Sequence, residues 1–391
     1  MVNYLLATDE QKELVAKVHE ICEVELNEKK VREYEATDNG RGEYPWKAHH
    51  ALANAGFYSM NMPKELGGTG YNFVTRGMIM EEISYYDLGF AFSFRGLGEK
   101  FPSILNSHIP QEKKDEWIHR QLTEHIGGVF CLTEPNAGSD AKMIESTAYK
   151  DGNEWVINGT KCQITNGGTG EYFTIFAWTD KTKSSGKGIT AFLVYKDDPG
   201  FSVLKKEEYM GMALANIVSL KLDNVRVPEE RIVGVEGRAF ATAMGTLEFV
   251  RPYNACFTVG AAQRCIDIVK DFVNNRKAFG KYLIDLQDVG HKLAELQMKV
   301  DTIRAMAYYA LEAADRGMPI GRVGSAAKGY GIDVCCQVCY DALELMGGYG
   351  LSKDYLVEKI NRDIRGYAIA GGTYNIMKEV VCRTMKEKHE D

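Results

Sequence analysis

The densest group of residues able to meet a ligand lies between Phe130 and Gly168. It opens FCLTEPNAGSD, passes through the alternating WVING, and closes on GTKCQITNGG. Gly, Pro, Asn, Ser and Thr let the backbone turn tightly, and short β-type runs between them would hold such turns in place. Loops of this kind offer N–H groups and small hydroxyls to a planar, polar ligand. The same composition also suits the turn-rich corner of a small β-domain. Further along, Arg276 in NNRKAFG has forked donors that suit an anion, or it simply closes a helix ahead of a glycine. ELMGGYG puts Gly347 and Gly348 in a tight inter-helix turn. In TLEFVRPYNACFTVG, Glu248 and Arg251 are three apart and share a helical face. Cys335, Cys336 and Cys339 have no second cluster to pair with, which favours tight helix packing over a metal site.

The order of the pieces, TEP-x-AGSD, then a strand and turn, then NG-x-K-xx-ITNGG, closely resembles the flavin-binding signature of the acyl-CoA dehydrogenase family. The resemblance covers nearly the whole chain and implies the acyl-CoA dehydrogenase fold. That is an N-terminal helical domain over 1–128, a middle β-domain over 129–235 and a C-terminal four-helix bundle over 236–391. It implies FAD as cofactor, with Leu132 and Thr133 at the edge of the isoalloxazine and Thr165 near its N5 side. Ser139 would face the CoA moiety. Donors near N5 or N1 matter because reduction puts negative charge on the ring. The family pattern R-x-x-FG-x-x-(hydrophobic)-x-x-x-Q is matched by Arg276, Phe279, Gly280 and Gln287. In relatives this arginine crosses a subunit interface to the flavin pyrophosphate. Gly347 and Gly348 resemble the turn that takes the neighbour's adenosine diphosphate portion, and Thr373 is a further expected cofactor contact. A homo-oligomer, dimer or tetramer, follows from that resemblance. Glu248 matches a residue that hydrogen-bonds the pantetheine chain, and Arg251 one that steadies the active-site backbone. One departure is Gln163, where relatives usually carry a Trp directly before ITN.

A larger departure concerns the proton acceptor. Ordinary members use one carboxylate, with its pKa raised toward neutrality, to take the proton alpha to the thioester. Relatives place it just before the Gly-Thr of the late RD…GT motif, or directly before the helix arginine. Here those slots hold Gly371 and Val250. The acyl wall is expected in EEISYYDLGFAFSFRGLGEK. Glutaryl-type relatives carry a carboxylate-binding arginine at the position of Ala91, whereas this chain has Arg95 one helical turn later. Phe90, Phe92 and Phe94 around it suggest a broad, flat or cyclic acyl group, or else Arg95 caps a helix among core phenylalanines. Relatives acting on cyclohexene-carboxyl thioesters use an aspartate on this wall for a 1,4-type elimination; Asp87 is the candidate here, although it also matches a structural aspartate common in the family. The expected activity is therefore FAD-dependent dehydrogenation of an acyl-CoA, cyclic or unsaturated, with an atypical base and electrons passing to electron-transferring flavoprotein. The alternatives are a redox-neutral lyase of the desulfinase kind, with Arg95 holding the leaving anion, and a non-catalytic acyl-CoA-binding subunit.

The elements that must position these groups follow from composition and pattern. A chain of 391 residues, 45% hydrophobic, can bury more than one core and suggests two or three domains. Against 54 acidic residues there are 47 Lys and Arg, so there is no electrostatic footprint for nucleic acid. No apolar run approaches the roughly 20 residues of a membrane span. The N-terminus lacks a secretory pattern, and 9 Cys without a framework suggest free thiols in a reducing, cytoplasmic setting. Apolar spacing predicts helices over 9–34 (with Thr8 as N-cap and Gln11 completing a capping box), 45–55, 72–89 and 110–124. Strands are predicted from 129 to about 235, with NVRVPEERIVG returning to helix, and then helices over 238–274, 287–314, 321–346 and 373–388.

Overall fold

The computed structural model describes residues 6–386. The chain begins with α1 (Asp9–Glu25), where Thr8 and Gln11 form the expected capping box at 2.9 and 3.2 Å. The helix expected to run to residue 34 breaks early. Asn27 leaves helical geometry and accepts from the Lys30 N–H at 3.1 Å, starting α2 (Glu28–Gly40). Next come α3 (Trp46–Asn54), α4 (Phe73–Tyr86), α5 (Leu88–Gly98), α6 (Phe101–Leu105) and α7 (Gln111–Thr123). Asp87 divides α4 from α5 in extended conformation and caps α5. Every residue of α4 from Val74 to Ser84 is buried, as befits a helix covered on all sides.

The middle of the chain is a sheet of β1 (Gly128–Cys131), β2 (Thr147–Asp151), β3 (Glu154–Thr165), β4 (Tyr172–Trp178), β5 (Ile189–Tyr195), β6 (Phe201–Lys206), β7 (Ile217–Pro228) and β8 (Ile232–Val233). The strand order is β6-β7-β3-β2-β4-β5-β8, with β1 parallel to β4. NVRVP stays in strand, because Val225 and Val227 alternate into the core and pair with β3 as far as Pro228. The expected return to helix reduces to one 3₁₀ turn, Glu229–Arg231. Irregular pairing of β3 with β7 between Lys161 and Ile164 marks a bulge, where Gln163 has φ +59°.

The C-terminal part contains α8 (Ala239–Asn275), a small hairpin β9 (Lys277–Ala278) and β10 (Lys281–Tyr282), then α9 (Gln287–Asp315) and α10 (Gly321–Leu345). It ends with α11 (Val357–Ile369) and α12 (Tyr374–Arg383). The predicted last helix stops at Arg383, and its residues 387–388 lie outside the described residues. Helix α11 has no counterpart among the predicted elements. One hydrophobic core joins α1–α5 to α8–α11, while the sheet builds its own around Trp155, Ile175 and Phe192. Helices α4 and α8 meet backbone to backbone: a Cβ on Gly260 would lie 2.2 Å from the Glu81 carbonyl oxygen. Cys335 and Cys339 are fully buried in α10, and all nine cysteines are free thiols. Among the described residues no group of three His, Cys, Asp or Glu side chains is arranged for a metal, and no helix is long and apolar enough to cross a membrane.

Candidate active site

The loop after β1 is held from below by a buried ion pair. Lys161 Nζ, on β3, lies 2.6 Å from Glu134 Oε1 and also donates to the carbonyls of Phe176 (2.6 Å) and Leu132 (3.3 Å). Glu134 accepts in turn from the N–H groups of Glu145 and Ser146, so its carboxylate closes the TEPNAGSD loop into a fixed shape. Burial pushes the Lys161 ammonium down, and the adjacent carboxylate opposes that shift. The Thr133 carbonyl accepts from Cys162 N–H at 3.1 Å, which brings Thr133 beside the strand that ends at Thr165. Neither threonine hydroxyl is engaged with another side chain among the described residues. Ser139 is exposed on the same loop. The bulge leaves Gln163 exposed, with Oε1 accepting from Tyr209 Oη at 2.5 Å. Asn166, buried at φ +67°, ties this region to α5: its Nδ2 donates to the Ser93 carbonyl at 3.0 Å and its Oδ1 accepts from the Ser93 hydroxyl.

A second set of expected cofactor residues converges on an open cleft of about 560 Å³. Its lining includes Arg276, Gly347, Gly348 and Tyr349, and also the acidic Glu344 and Asp354. The Arg276 guanidinium lies 4.8 Å from the Tyr349 ring centre and has no carboxylate partner among the described residues. Nothing lies within 4 Å of where a Cβ would stand on Gly347 or Gly348, and Gly347 has φ +57°. An unpaired guanidinium beside bare glycine backbone fits the diphosphate of FAD, and the free hydroxyls of Thr133 and Thr165 fit the polar rim of its ring. Phe279 stands at the β9–β10 hairpin tip with φ +49° and 92% exposure. Gln287, the first residue of α9, is exposed as well. Thr373 serves as N-cap of α12, its hydroxyl accepting from Ile376 N–H at 3.4 Å.

The helix expected on the thioester side is α8. Pro252 lies inside it, so the Glu248 carbonyl lacks its helical donor. The Glu248 side chain faces Gly321 at the start of α10, and Arg251 Nη1 donates to Ser325 on the same helix at 3.1 Å. Val250 is half-buried. Gly371 has φ +68°, and a Cβ there would meet Asn254 Nδ2 at 3.0 Å. Asn254 accepts from the Tyr367 hydroxyl at 2.9 Å. The buried Lys328 donates to the carbonyls of Ala368 and Gly372, without a carboxylate partner among the described residues. Burial, helped by the nearby Arg251 charge, lowers its pKa to about 8.

In the segment expected to form the acyl wall, the structure rearranges several expectations. Asp87 is unsuited to proton transfer, because Oδ1 accepts from Phe90 N–H at 2.7 Å and Oδ2 pairs with buried Lys359 at 2.5 Å. Lys359 also pairs with Asp363 of the RD motif, so these charges join α5 to α11. Phe90 and Phe94 pack toward Tyr44, His49 and Tyr58 in the N-terminal core. Phe92 alone among the three lies beside Tyr367, 5.0 Å between ring centres. Ala91 is fully buried. Arg95 pairs with Glu99, a carboxylate the sequence reading misses although its i, i+4 spacing on α5 announces the contact. The pairing of Lys161 with Glu134 is a second omission, although both residues belong to the motifs already singled out.

Three acyl-CoA dehydrogenase family profiles match in order: the N-terminal domain over residues 8–124, the middle domain over 129–225 and the C-terminal domain over 237–386. The chain is 34% identical over 363 residues to the probable acyl-CoA dehydrogenase fadE25 of Mycobacterium leprae, covering 92% of each protein. Among solved structures it resembles butyryl-CoA dehydrogenase from Megasphaera elsdenii, with 29% identity, a TM-score of 0.90, and 98% and 100% of the two chains covered. A chain solved in work on the electron transferring flavoprotein of Acidaminococcus fermentans gives 28% identity and a TM-score of 0.91, covering 99% and 100%. With matching motifs, matching domain order and a relative this similar along its length, the chain belongs to the acyl-CoA dehydrogenase family.

Proposed function

We propose that this protein is an FAD-dependent oxidoreductase that dehydrogenates an acyl-CoA thioester without a carboxylate in either usual base position. The observation that carries the proposal is the cleft joining Arg276 to Gly347 and Gly348, together with the non-acidic residues at 371 and 250. Leu132, Thr133 and Thr165 would hold the flavin ring. Arg276, Phe279, Gln287, Gly347, Gly348 and Thr373 would serve its diphosphate end, reaching a neighbouring copy in a homo-oligomer. The exposed Phe279, held at positive φ on a hairpin tip, supports a dimer or tetramer. The chemistry FAD supplies when bound is acceptance of a hydride from the acyl group. The chain's own part is to fix the thioester, through Ser139, Glu248 and Arg251, and to exclude water from the reacting carbons.

Electron-transferring flavoprotein is the proposed acceptor, supported by the likeness to the Acidaminococcus chain. A cytoplasmic setting rests on the free thiols. The reading of a cyclic or unsaturated acyl group rests on Phe92 and Tyr367, since Phe90 and Phe94 face the N-terminal core. Anaerobic titration of FAD-loaded protein with acyl-CoAs tests the proposal. Bleaching of the flavin supports dehydrogenation. Turnover without any acceptor or bleaching would instead assign the redox-neutral lyase, and binding with neither would assign a non-catalytic acyl-CoA-binding subunit.

A further inference from the structure

The acyl wall carries more buried positive charge than its one carboxylate can balance. Glu99, at the end of α5, is shared by two guanidinium groups: Arg95 on the same helix, and Arg76 from α4 at 3.7 Å. Arg95 and Arg76 are 6% and 8% exposed, so solvent does little to screen them. Both lie against the ring of Tyr253 on α8, Arg95 at 4.6 Å and Arg76 at 5.5 Å from its centre. Two polar atoms of this cluster have no partner among the described residues: Arg95 Nε and the Tyr253 hydroxyl, the latter on a residue 1% exposed. Burial raises the Tyr253 pKa, which keeps the hydroxyl protonated and able to donate. Lys100, next in sequence to Glu99, is lowered to about 8 by burial and then by the Arg95 charge. Among the described residues, buried donors and cations here exceed their acceptors, an arrangement that an anion entering the cluster would complete.

We propose that Arg95, Arg76 and the Tyr253 hydroxyl form a subsite for an acyl thioester whose far end carries a carboxylate. The proposal rests on the acyl-CoA reading above and narrows it to a substrate class. Glu99 then has a second role as a resident counterion. It holds the two guanidinium groups in place between substrates, and it sets a limit on how tightly an incoming carboxylate binds. Side-chain contacts link α5 to the Gly371 slot: Phe92, on the helix of Arg95, packs on the Tyr367 ring at 5.0 Å. Tyr367, which feels the Arg95 charge, is hydrogen-bonded to Asn254 beside Gly371.

The test compares thioesters matched in length, glutaryl-CoA against pentanoyl-CoA and adipyl-CoA against hexanoyl-CoA, by titrating the flavin absorbance of FAD-loaded protein. At least one carboxylated thioester should bind about 10-fold or more tightly than its alkyl match, the scale of one charge-assisted hydrogen bond. Arg95→Met should remove that preference and change alkyl affinity by less than about 3-fold. Because Arg95→Met could unfold α5, Glu99→Gln is the second variant, and it should strengthen the preference by removing the competing anion. Equal or tighter binding of both alkyl thioesters, or a Glu99→Gln protein that loses the preference, would overturn the subsite. Failure of all four thioesters and of free CoA to bind would instead overturn the acyl-CoA reading beneath it.

Discussion

Lys161 of β3 and Glu134 of the TEPNAGSD loop face each other at 2.6 Å with essentially no exposure. Removing one partner strands the other charge in the sheet's interior, which costs about 3 to 5 kcal/mol. Lys161→Met should therefore lower unfolding stability by that amount and loosen the loop enough to reduce flavin retention. Lys161→Met combined with Glu134→Leu should recover part of the stability. Urea unfolding of the single and double variants checks this, and equal stability for Lys161→Met and native protein would discard the pair's role.

Arg276 should govern FAD occupancy. Loss of a charge-assisted contact to a buried phosphate costs about 2 to 5 kcal/mol, so Arg276→Ala protein should emerge with much less flavin, read from the ratio of flavin to protein absorbance. Full retention would remove Arg276 from the cofactor site. Arg276→Lys should recover charge without the fork, and therefore only part of the affinity.

The two base slots are not equally able to take a carboxylate. Glu at Gly371 meets a positive φ and the Asn254 amide at 3.0 Å, whereas Val250 is an ordinary helical position. Val250→Glu should fold normally and raise flavin reduction by straight-chain acyl-CoAs, within the about 100- to 10,000-fold that a positioned general base contributes. Gly371→Glu should give a smaller gain and a lower melting temperature. The expectation fails if Gly371→Glu proves the faster and the more stable protein.

His49 gives the fold a defined acid sensitivity. It is buried between Tyr44 and the His125 carbonyl, and burial lowers its pKa from 6.5 to about 3. Below pH 6.5 the unfolded chain binds a proton that the folded chain refuses. Stability is therefore intact above that pH and falls by about 1.4 kcal/mol per unit as pH drops toward 3. His49→Gln should be less stable near neutrality yet show a shallower decline. Unfolding free energies at about pH 7 and about pH 5 measure both slopes, and parallel slopes would assign the decline to other groups.

Much of this was legible in the residues. TEPNAGSD, ITNGG and Arg276 carry their types and spacing openly, and the cleft gathers Arg276 with Gly347 and Gly348 from segments about 70 residues apart. Thr8 and Gln11 announced their helix start correctly. What escaped depends on partners remote in sequence. That Asp87 is structural follows from the family resemblance, but its partner Lys359 is remote, and α11 itself hides in a charged stretch whose stripe is Val357, Ile360, Ile364 and Tyr367. The direction of Phe90 and Phe94 could not be read from their alternation with Phe92, because which face of α5 meets the N-terminal core is decided by packing.

The core shared by α1–α5 and α8–α11 also has a consequence for synthesis on the ribosome. The sheet lies between its two halves in the chain and can close on contacts of its own. The first helices cannot, since α4 is enclosed only once α8 and α9 have been made. At about 5 to 20 residues per second, this leaves apolar α4 without its cover for roughly ten to fifty seconds during translation. The N-terminal segment is therefore where a nascent-chain chaperone would be found bound. A chain truncated before α8 should aggregate, even though its sheet is complete.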